Sequence, residues 1–134
     1  MSSKTSISIV IPARDEAENL VILIPEIYNI LEKLSLNYYE IIVLNHGSND
    51  NTSSVISDFK SRNMNISEIF YPRTGFKLGQ VLYDGIRNAK GDFIITMDGD
   101  NSHQPCALNS IIDAWRNGCD FFIGVGFEKN QQPL

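Results

Sequence analysis

The chain has 134 residues, of which 43% are hydrophobic and 20% charged, and its formal net charge is −5. This length and composition fit one ordinary globular domain and exclude a disordered or fibrous protein. The acidic balance argues against nucleic-acid binding, because a phosphate backbone is held by clustered Lys and Arg.

The first half of the chain alternates between the residue periods of strands and helices. Four elements are predicted there: a strand at 6–12, a helix at 16–35, a strand at 38–45, and a helix from Thr52 or Ser53 to about Asn63. The helix at 16–35 is expected to kink or restart at Pro25. Its apolar face consists of Leu20, Leu23, Ile24, Ile27, Leu31 and Leu34.

The second half continues the alternation. Five elements are predicted: a weak strand at 66–72, a helix at 77–89, an apolar strand at 92–98 buried on both faces, a helix at 105–117, and a strand at 119–125. The helix at 77–89 carries Leu78, Leu82 and Ile86 at fourfold spacing, and Gly91 is expected to cap its C-terminus. Pro105 suits the first turn of the next helix, and Gly118 should end it.

This order of strands and helices predicts an α/β fold with a mainly parallel sheet, since parallel neighbours need crossover connections. In such sheets ligands bind at the carboxyl ends of the strands. Three loops are therefore candidates for a site: 12–16, 45–52 and 98–104. We expect one domain at 1–126 and a poorly anchored tail at 127–134.

No signal peptide or membrane span is predicted. The first apolar run is too short for a signal peptide, and the longest one is interrupted by Pro25, Glu26 and Asn29. The expected location is cytoplasmic, and contact with a membrane surface stays compatible with the sequence. Cys106 and Cys119 would lie near opposite ends of one helix, too far apart to bridge, and are interpreted as reduced packing residues.

Asp98 and Asp100 follow the apolar strand directly. Two neighbouring carboxylates repel each other, which raises the pKa of one of them unless a cation is present. Mg²⁺ or Mn²⁺ is usually held by one or two carboxylates, with phosphate oxygens and water as further ligands. The pair therefore predicts a metal site for a phosphate-bearing ligand. The alternative is an Asp-Gly turn in which Asp100 caps the next helix.

Other kinds of site fit less well. An EF-hand loop starting at Asp98 would need different residues where the chain has Ser102, His103 and Asn109. A phosphatase with an aspartyl nucleophile would resemble 98–102, but its motif is expected after the first strand. The glycine stretches lack the spacing of a dinucleotide site, and two histidines do not support a Ser-His-Asp arrangement.

Four segments occur in the order and spacing of the family 2 glycosyltransferases: IVIPARDEAENL, EIIVLNHGSNDNT, PRTGFKLGQVLYDGIRNAKGDFIITMDGDNSHQP and DFFIG. The chain resembles that family over nearly its whole length, and most closely the dolichol- or polyprenyl-phosphate mannosyltransferase group. The resemblance implies a Rossmann-like glycosyltransferase A fold that binds a nucleotide-diphospho-sugar, such as a GDP- or UDP-sugar, through Mg²⁺ or Mn²⁺.

The resemblance also implies roles for individual residues. Asp98 and Asp100 match the Asp-x-Asp motif, whose second aspartate is the more direct metal ligand. The family loop around the nucleotide maps onto Pro12, Ala13, Arg14 and Glu16. The other nucleotide-binding residues that it implies are Asn45, His46, Ser48, Lys77 and Asp98 itself. Arg14 could stack on a base or pair with phosphate; a solvated loop arginine is the alternative.

The chain departs from the family pattern in two places. Asn45 and His46 stand where the family has two aspartates, which should weaken or alter nucleotide binding. His46 could stack on a base or serve as a structural imidazole. Lys77 replaces a glycine and could reach a diphosphate or simply face solvent.

The resemblance ends near residue 130, so the family's acceptor-binding half is missing. That half normally supplies the general base, for which His103 and Asp92 are candidates here only by position. The preferred interpretation is a metal-dependent glycosyltransferase whose acceptor side comes from another subunit or chain. The alternative is a non-catalytic derivative that serves as a binding or assembly module. Either version is expected to form oligomers if apolar surface is left exposed.

Overall fold

The computed structural model describes residues 6–100 and 105–118, which form four strands and four helices in alternation. In chain order these are β1 (Ser6–Ala13), α1 (Ala17–Glu32), β2 (Tyr38–His46), α2 (Thr52–Ser61), β3 (Ile66–Tyr71), α3 (Leu78–Asn88), β4 (Phe93–Thr96) and α4 (Ala107–Arg116). The strand predicted at 119–125 and the tail at 127–134 lie outside the described residues. None of the described helices has the length and apolar character needed to cross a bilayer.

The four strands form one parallel sheet in the order β3-β2-β1-β4. The predicted parallel α/β architecture is therefore confirmed. β4 stands at one end of this described sheet, beside β1. Its predicted burial on both faces is wrong, because Ile94 is only half-buried and Thr96 is exposed. The cause is the position of α3, which packs mainly against β1 and β2.

The larger core lies on the sheet face that carries α1, α2 and α4. The predicted apolar face of α1 is confirmed for its first five residues, all of which are fully buried. The helix itself ends earlier than expected, at Glu32, and continues through Pro25. A smaller core on the other face consists of Val10, Ile42, Leu44, Tyr71 and Val81.

α3 packs only in part with the face that its aliphatic residues suggest, since of these residues only Leu82 is half-buried and packed against the smaller core. Val81 and Gly85 are its buried residues, whereas Leu78 and Ile86 are 55% and 43% exposed. A Cβ at Gly85 would lie 2.8 Å from side-chain carbons of Leu44 and Val10. The helix therefore approaches the sheet most closely at a glycine, which hydrophobic periodicity does not count as an apolar position.

The connection from α3 to β4 is held by buried polar contacts. The Glu40 carboxylate accepts hydrogen bonds from the Ser8 hydroxyl and the Lys90 N–H, both at 2.6 Å, and the Gly91 N–H donates to Ser8 Oγ at 2.8 Å. A Cβ at Gly91 would lie 2.6 Å from backbone atoms of β1. The predicted C-cap role of Gly91 is therefore wrong: the helix ends through an extended Ala89, and Gly91 permits close contact with the neighbouring strand.

α4 begins at Ala107, after a turn that contains Pro105 and Cys106. Gly118 has a φ of 109° just past the helix end, as predicted for its C-terminus. The interpretation of Cys106 as a packing residue is wrong, since its side chain is exposed at the start of the helix. Cys119 lies outside the described residues.

Candidate functional site

A cavity of about 290 Å³ opens where the carboxyl ends of β1 and β2 meet the segment after β4. Its lining among the described residues consists of Pro12, Ala13, Arg14, Glu16, His46, Leu78, Asp98, Gly99 and Asp100. Seven of these were predicted from the sequence as site residues. Leu78 and Gly99 were not, although both adjoin predicted positions.

The cavity has two chemically distinct ends. His46 ends β2, whereas Asp98 and Asp100 follow β4, and β1 lies between these two strands. Two strand spacings separate the imidazole from the carboxylates, a distance on the order of 10 Å. The cavity can therefore receive an elongated ligand that places different groups at its two ends.

The acidic end suits a hard divalent cation. Asp98 and Asp100 are exposed to the cavity, and the glycine between them packs against the end of β1, where a Cβ would lie 3.4 Å from Ala13 Cβ. Within residues 6–100 and 105–118, no group of three or more His, Cys, Asp or Glu forms a complete metal site. A cation here would thus need further oxygen ligands from outside this part of the chain, as Mg²⁺ or Mn²⁺ takes from a diphosphate.

The other end carries an unsatisfied imidazole nitrogen. His46 Nε2 is buried and has no hydrogen-bond partner among the described residues. The ring lies edge-on to Tyr71, with centroids 6.4 Å apart. Tyr71 is fixed in turn by donating its hydroxyl hydrogen to Asp84 at 2.9 Å. Buried polar atoms are nearly always paired, so a nitrogen in this state is unusual beside a cavity that His46 lines.

Glu16 is the acidic residue that the loop after β1 contributes to the cavity wall. Its carboxylate accepts a hydrogen bond from Asn19 Nδ2 at 2.6 Å, one turn into α1. This contact restrains the Glu16 side chain at the start of the helix, next to the residues that end β1.

Arg14 lines the cavity but also ties two loops together. Its Nε donates to the His46 carbonyl at 3.0 Å, and its Nη2 donates to the Arg73 carbonyl at 2.6 Å. Contact with a base or phosphate, as the resemblance implies, stays a prediction. The observed bonds already give the guanidinium a role in holding the backbone of His46.

Asp15 and Ser48 form the next layer of loop contacts. Asp15 has a φ of 55°, and its N–H donates to Ser48 Oγ at 2.9 Å. Its carboxylate accepts from the Asn49 N–H at 2.6 Å and forms an ion pair with Arg73. The Asn49 N–H and then Arg73 lower the pKa of Asp15 below its usual value. Ser48, predicted to contact nucleotide, thus supports the loop instead of lining the cavity.

Asn45 is fully buried and does not line the cavity either. Its Nδ2 donates to Glu68 Oε2 at 2.7 Å and to Ser53 Oγ at 3.0 Å, while its Oδ1 accepts from the Ser48 N–H at 3.1 Å. The carboxamide therefore joins β2 to β3 and closes the turn that follows. It uses both its donor and its acceptor within the protein.

Lys77 is the N-cap residue of α3, and its own N–H donates to Gln80 Oε1 at 2.9 Å. Its side chain is not part of the cavity wall, where Leu78 lies instead.

Asp50 holds together the starts of two helices next to the cavity loops, a role that was not predicted from the sequence. Its carboxylate accepts from the Thr52 N–H at 3.0 Å and from the Ala17 N–H at 3.1 Å, so one side chain caps the start of both α2 and α1. Burial raises the pKa of Asp50, but the hydrogen bonds from Thr52 and Ala17 outweigh it and the net shift is downward. An aspartate side chain commonly accepts a hydrogen bond from the N–H two residues on, as Asp50 does from Thr52; its contact with α1 is non-local.

One of the two candidates for a general base lies away from the cavity. Asp92 precedes β4, and its N–H donates to Ser6 Oγ at the amino end of the sheet. The cavity lies at the opposite, carboxyl end, so the prediction that Asp92 lies near the candidate site is wrong. His103 lies outside the described residues.

Comparison with known proteins gives a consistent result. The family model described as "Glycosyl transferase family 2" matches residues 8–133. The dolichol-phosphate mannosyltransferase of Pyrococcus furiosus is 33% identical over 129 residues, which cover 92% of this chain and 34% of that protein. The chain thus spans about a third of the length of this relative.

Solved structures share the fold at lower identity. The mannosyltransferase PcManGT from Pyrobaculum calidifontis, in complex with GDP-Man and Mn²⁺, matches with a TM-score of 0.63 and 19% identity over 82% of this chain and 31% of its own. Glucosyl-3-phosphoglycerate synthase from Mycobacterium tuberculosis, in complex with Mn²⁺, UDP and glucosyl-3-phosphoglycerate, matches with a TM-score of 0.62 and 23% identity over 85% of this chain and 40% of its own. These likenesses confirm the expected glycosyltransferase A fold.

Proposed function

The chain belongs to glycosyl transferase family 2, and from that premise we propose that its cavity binds the nucleoside diphosphate part of a sugar donor. The observation that carries the proposal is the polarity of the cavity: two carboxylates lie at one end, and at the other lies an imidazole whose buried nitrogen has no partner in the part of the chain that the structure describes. A nucleoside diphosphate has the matching asymmetry, with a charged diphosphate at one end and a hydrogen-bonding base at the other.

Asp98 and Asp100 would hold a divalent cation, Mg²⁺ or Mn²⁺, together with diphosphate oxygens. When bound, the cation would stabilise the negative charge that develops on the leaving nucleoside diphosphate. The chain's own residues supply the rest of the donor site. The backbone of 12–14 and the Glu16 side chain form the wall along the ligand, and Arg14 holds the strand end that carries His46.

The base is proposed to lie against His46, enclosed by the loops at 12–16 and 45–48. Ser48 and Asn45 contribute indirectly, by fixing the turn after β2. Lys77 lies next to the cavity residue Leu78, from where a flexible side chain can reach a diphosphate.

Sugar transfer further requires an acceptor and a general base. The chain spans about a third of the length of the matched mannosyltransferase, and the residues proposed above serve the sugar donor alone. An acceptor carried by a membrane lipid is consistent with the matched Pyrococcus protein, which is named for dolichol phosphate.

Isothermal calorimetry tests the donor site directly. GDP, UDP, GDP-mannose and UDP-glucose are titrated into the protein with Mn²⁺ and, separately, with a chelator. We expect binding of at least one nucleotide that requires the metal. Slow hydrolysis of the bound sugar donor would identify an enzyme. Absence of binding in both conditions would refute the proposal and favour a non-catalytic assembly module.

A further inference from the structure

Arg73 lies two residues after β3 and contacts the loops that follow β1 and β2. Its Nε donates a hydrogen bond to the Gly47 carbonyl at 3.0 Å, in the turn after β2. Its Nη2 forms an ion pair with Asp15, in the loop after β1. Its own carbonyl accepts a hydrogen bond from Arg14 Nη2 at 2.6 Å. We call Arg14, Asp15, Gly47 and Arg73 the loop clamp.

The loop clamp holds the backbone that carries His46. The carbonyls of His46 and Gly47 are consecutive along the chain. The first accepts a hydrogen bond from Arg14 Nε at 3.0 Å, and the second accepts one from Arg73 Nε. The backbone of Arg73 also lies directly against Gly47, where a Cβ would overlap it. The end of β2 is therefore held by one guanidinium from the β1 loop and by another from the β3 loop.

Asp15 depends on the same set of contacts. Its φ of 55° lies in the left-handed region, which residues other than glycine adopt only with support from their surroundings. The Asn49 N–H donates to the Asp15 carboxylate at 2.6 Å, and Arg73 pairs with that carboxylate from the β3 loop. Arg73 thereby helps to fix the loop after β1, which supplies part of the cavity wall.

The position of Arg73 argues against a main role in the stability of the whole fold. Its side chain is 38% exposed, and that of Asp15 is 40% exposed. Ion pairs with this exposure contribute little to global stability. Arg73 is also outside the cavity wall, so direct contact with a ligand is not its role in this structure. Its contacts converge instead on the two loops that would enclose a nucleotide base.

We propose that Arg73 is a positioning residue for the base end of the donor site. It acts through Gly47 and Asp15, whose backbones set the turn after His46 and the loop after β1. The role rests on the proposed nucleotide binding and adds to it a residue outside the cavity wall. The carboxylates after β4 lie on the far side of β1 from β2 and β3. The metal and diphosphate end should therefore be little affected by changes at Arg73.

Calorimetry with Mn²⁺ tests this role when GDP, UDP and pyrophosphate are compared as ligands. Arg73→Gln should weaken nucleotide binding by about tenfold and leave the affinity for pyrophosphate within about twofold of the parent value. Arg73→Lys should behave similarly, because a lysine keeps the charge but lacks the second nitrogen that makes the two-point contact. A merely structural loss would weaken the binding of both kinds of ligand.

A double-variant cycle tests the route through Asp15. Asp15→Asn keeps an acceptor for the Asn49 N–H and removes the charge that pairs with Arg73. It should also weaken nucleotide binding. Asp15→Asn/Arg73→Gln should lose no more affinity than Arg73→Gln alone, because the two residues act through one ion pair. Additive losses would exclude this route.

Arg62→Gln is the matched control, because it removes an arginine that pairs with Asp58 on the exposed side of α2. It should leave nucleotide binding unchanged, and thermal melting should show that every variant folds. Without any ligand, the ¹H–¹³C signals of the His46 ring, assigned with His46→Phe, should shift in Arg73→Gln and stay in place in Arg62→Gln.

The outcomes separate this role from the proposed function. Nucleotide affinity or His46 signals that Arg73→Gln leaves unchanged would overturn the positioning role alone. An equal loss of nucleotide and pyrophosphate binding would overturn it as well. Absence of nucleotide binding by the parent chain would overturn the proposed function, and this role with it.

Discussion

The Asn45 carboxamide donates a hydrogen bond to the Glu68 carboxylate across two neighbouring strands, over 2.7 Å. This contact gives a structural reason for an asparagine at a position where the resemblance implies an aspartate. An aspartate at position 45 would bring two carboxylates together at a fully buried position. The amide at 45 and the carboxylate at 68 therefore form a donor–acceptor pair, in which each residue type depends on the other.

Asn45→Asp, which introduces the residue that the resemblance implies, should lower the free energy of unfolding by about 1–3 kcal/mol, because a buried donor is replaced by a second acceptor. Urea denaturation of the variant and the parent measures this. Asn45→Asp/Glu68→Gln restores one donor and one acceptor and should recover most of the loss. If the double variant is no more stable than Asn45→Asp, pairing with Glu68 does not explain why position 45 is an asparagine.

Asp98→Asn and Asp100→Asn should each weaken Mn²⁺-dependent nucleotide binding by at least about tenfold, or about 1.4 kcal/mol. The reason is that each removes a charged oxygen ligand from the acidic end of the cavity. Calorimetry with and without chelator measures the effect. Asp113→Asn, an exposed position on α4, serves as the control. Undiminished metal-dependent binding in both site variants would contradict a cation at this position.

His46→Phe separates packing from hydrogen bonding at the other end of the cavity. The phenyl ring can keep the edge contact with Tyr71 but lacks the buried Nε2. We expect unchanged or higher thermal stability, because an unpaired buried polar atom is removed. Nucleotide affinity should fall by about tenfold. An affinity equal to that of the parent would show that the imidazole does not contact the ligand.

Acid should loosen the loops around the cavity through Asp15 and Asp50. Both have a folded-state pKa below the usual 3.8, so their stabilising contribution is present above that pH and is lost as the pH falls through the folded value. Melting temperatures measured between about pH 3 and pH 6 should therefore drop at the acid end. Asp50→Asn should flatten this dependence, whereas Asp58→Asn on the surface of α2 should not.

Gly47→Ala should destabilise the turn after β2. Gly47 has a φ of 64°, and a Cβ there would overlap the backbone of Arg73. Gly79 is the matched control, since a Cβ there meets nothing within 4 Å and the residue lies in α3. Gly79→Ala should raise stability by up to about 1 kcal/mol. Thermal melting of both variants distinguishes them; equal behaviour would refute the close approach of Gly47 to Arg73.

The sequence was sufficient for the order of elements and for most of the cavity wall. Strand and helix periods are local, and the carboxyl-end rule for parallel sheets selects the loops where Arg14, His46 and Asp98 lie. Residues such as Asn45 and Ser48 were harder to interpret. Their partners, Glu68 and Asp15, are distant in sequence, so residue type alone could not separate a ligand contact from a loop support. The packing face of α3 was predicted only in part, through Leu82, because Gly85, which has no side chain, forms the closest contact with the sheet.

The pairing of β1 with β4 has a consequence for how the protein folds. Their contacts join residues up to 86 positions apart, as in the bond from Asp92 to Ser6. β1, α1 and β2 are consecutive and can assemble first, whereas β4 can add only after a long loop has closed. The His46 end of the cavity should thus form early, and the carboxylates after β4 should be placed last. Any metal binding of the kind proposed should therefore appear later in refolding than secondary structure does.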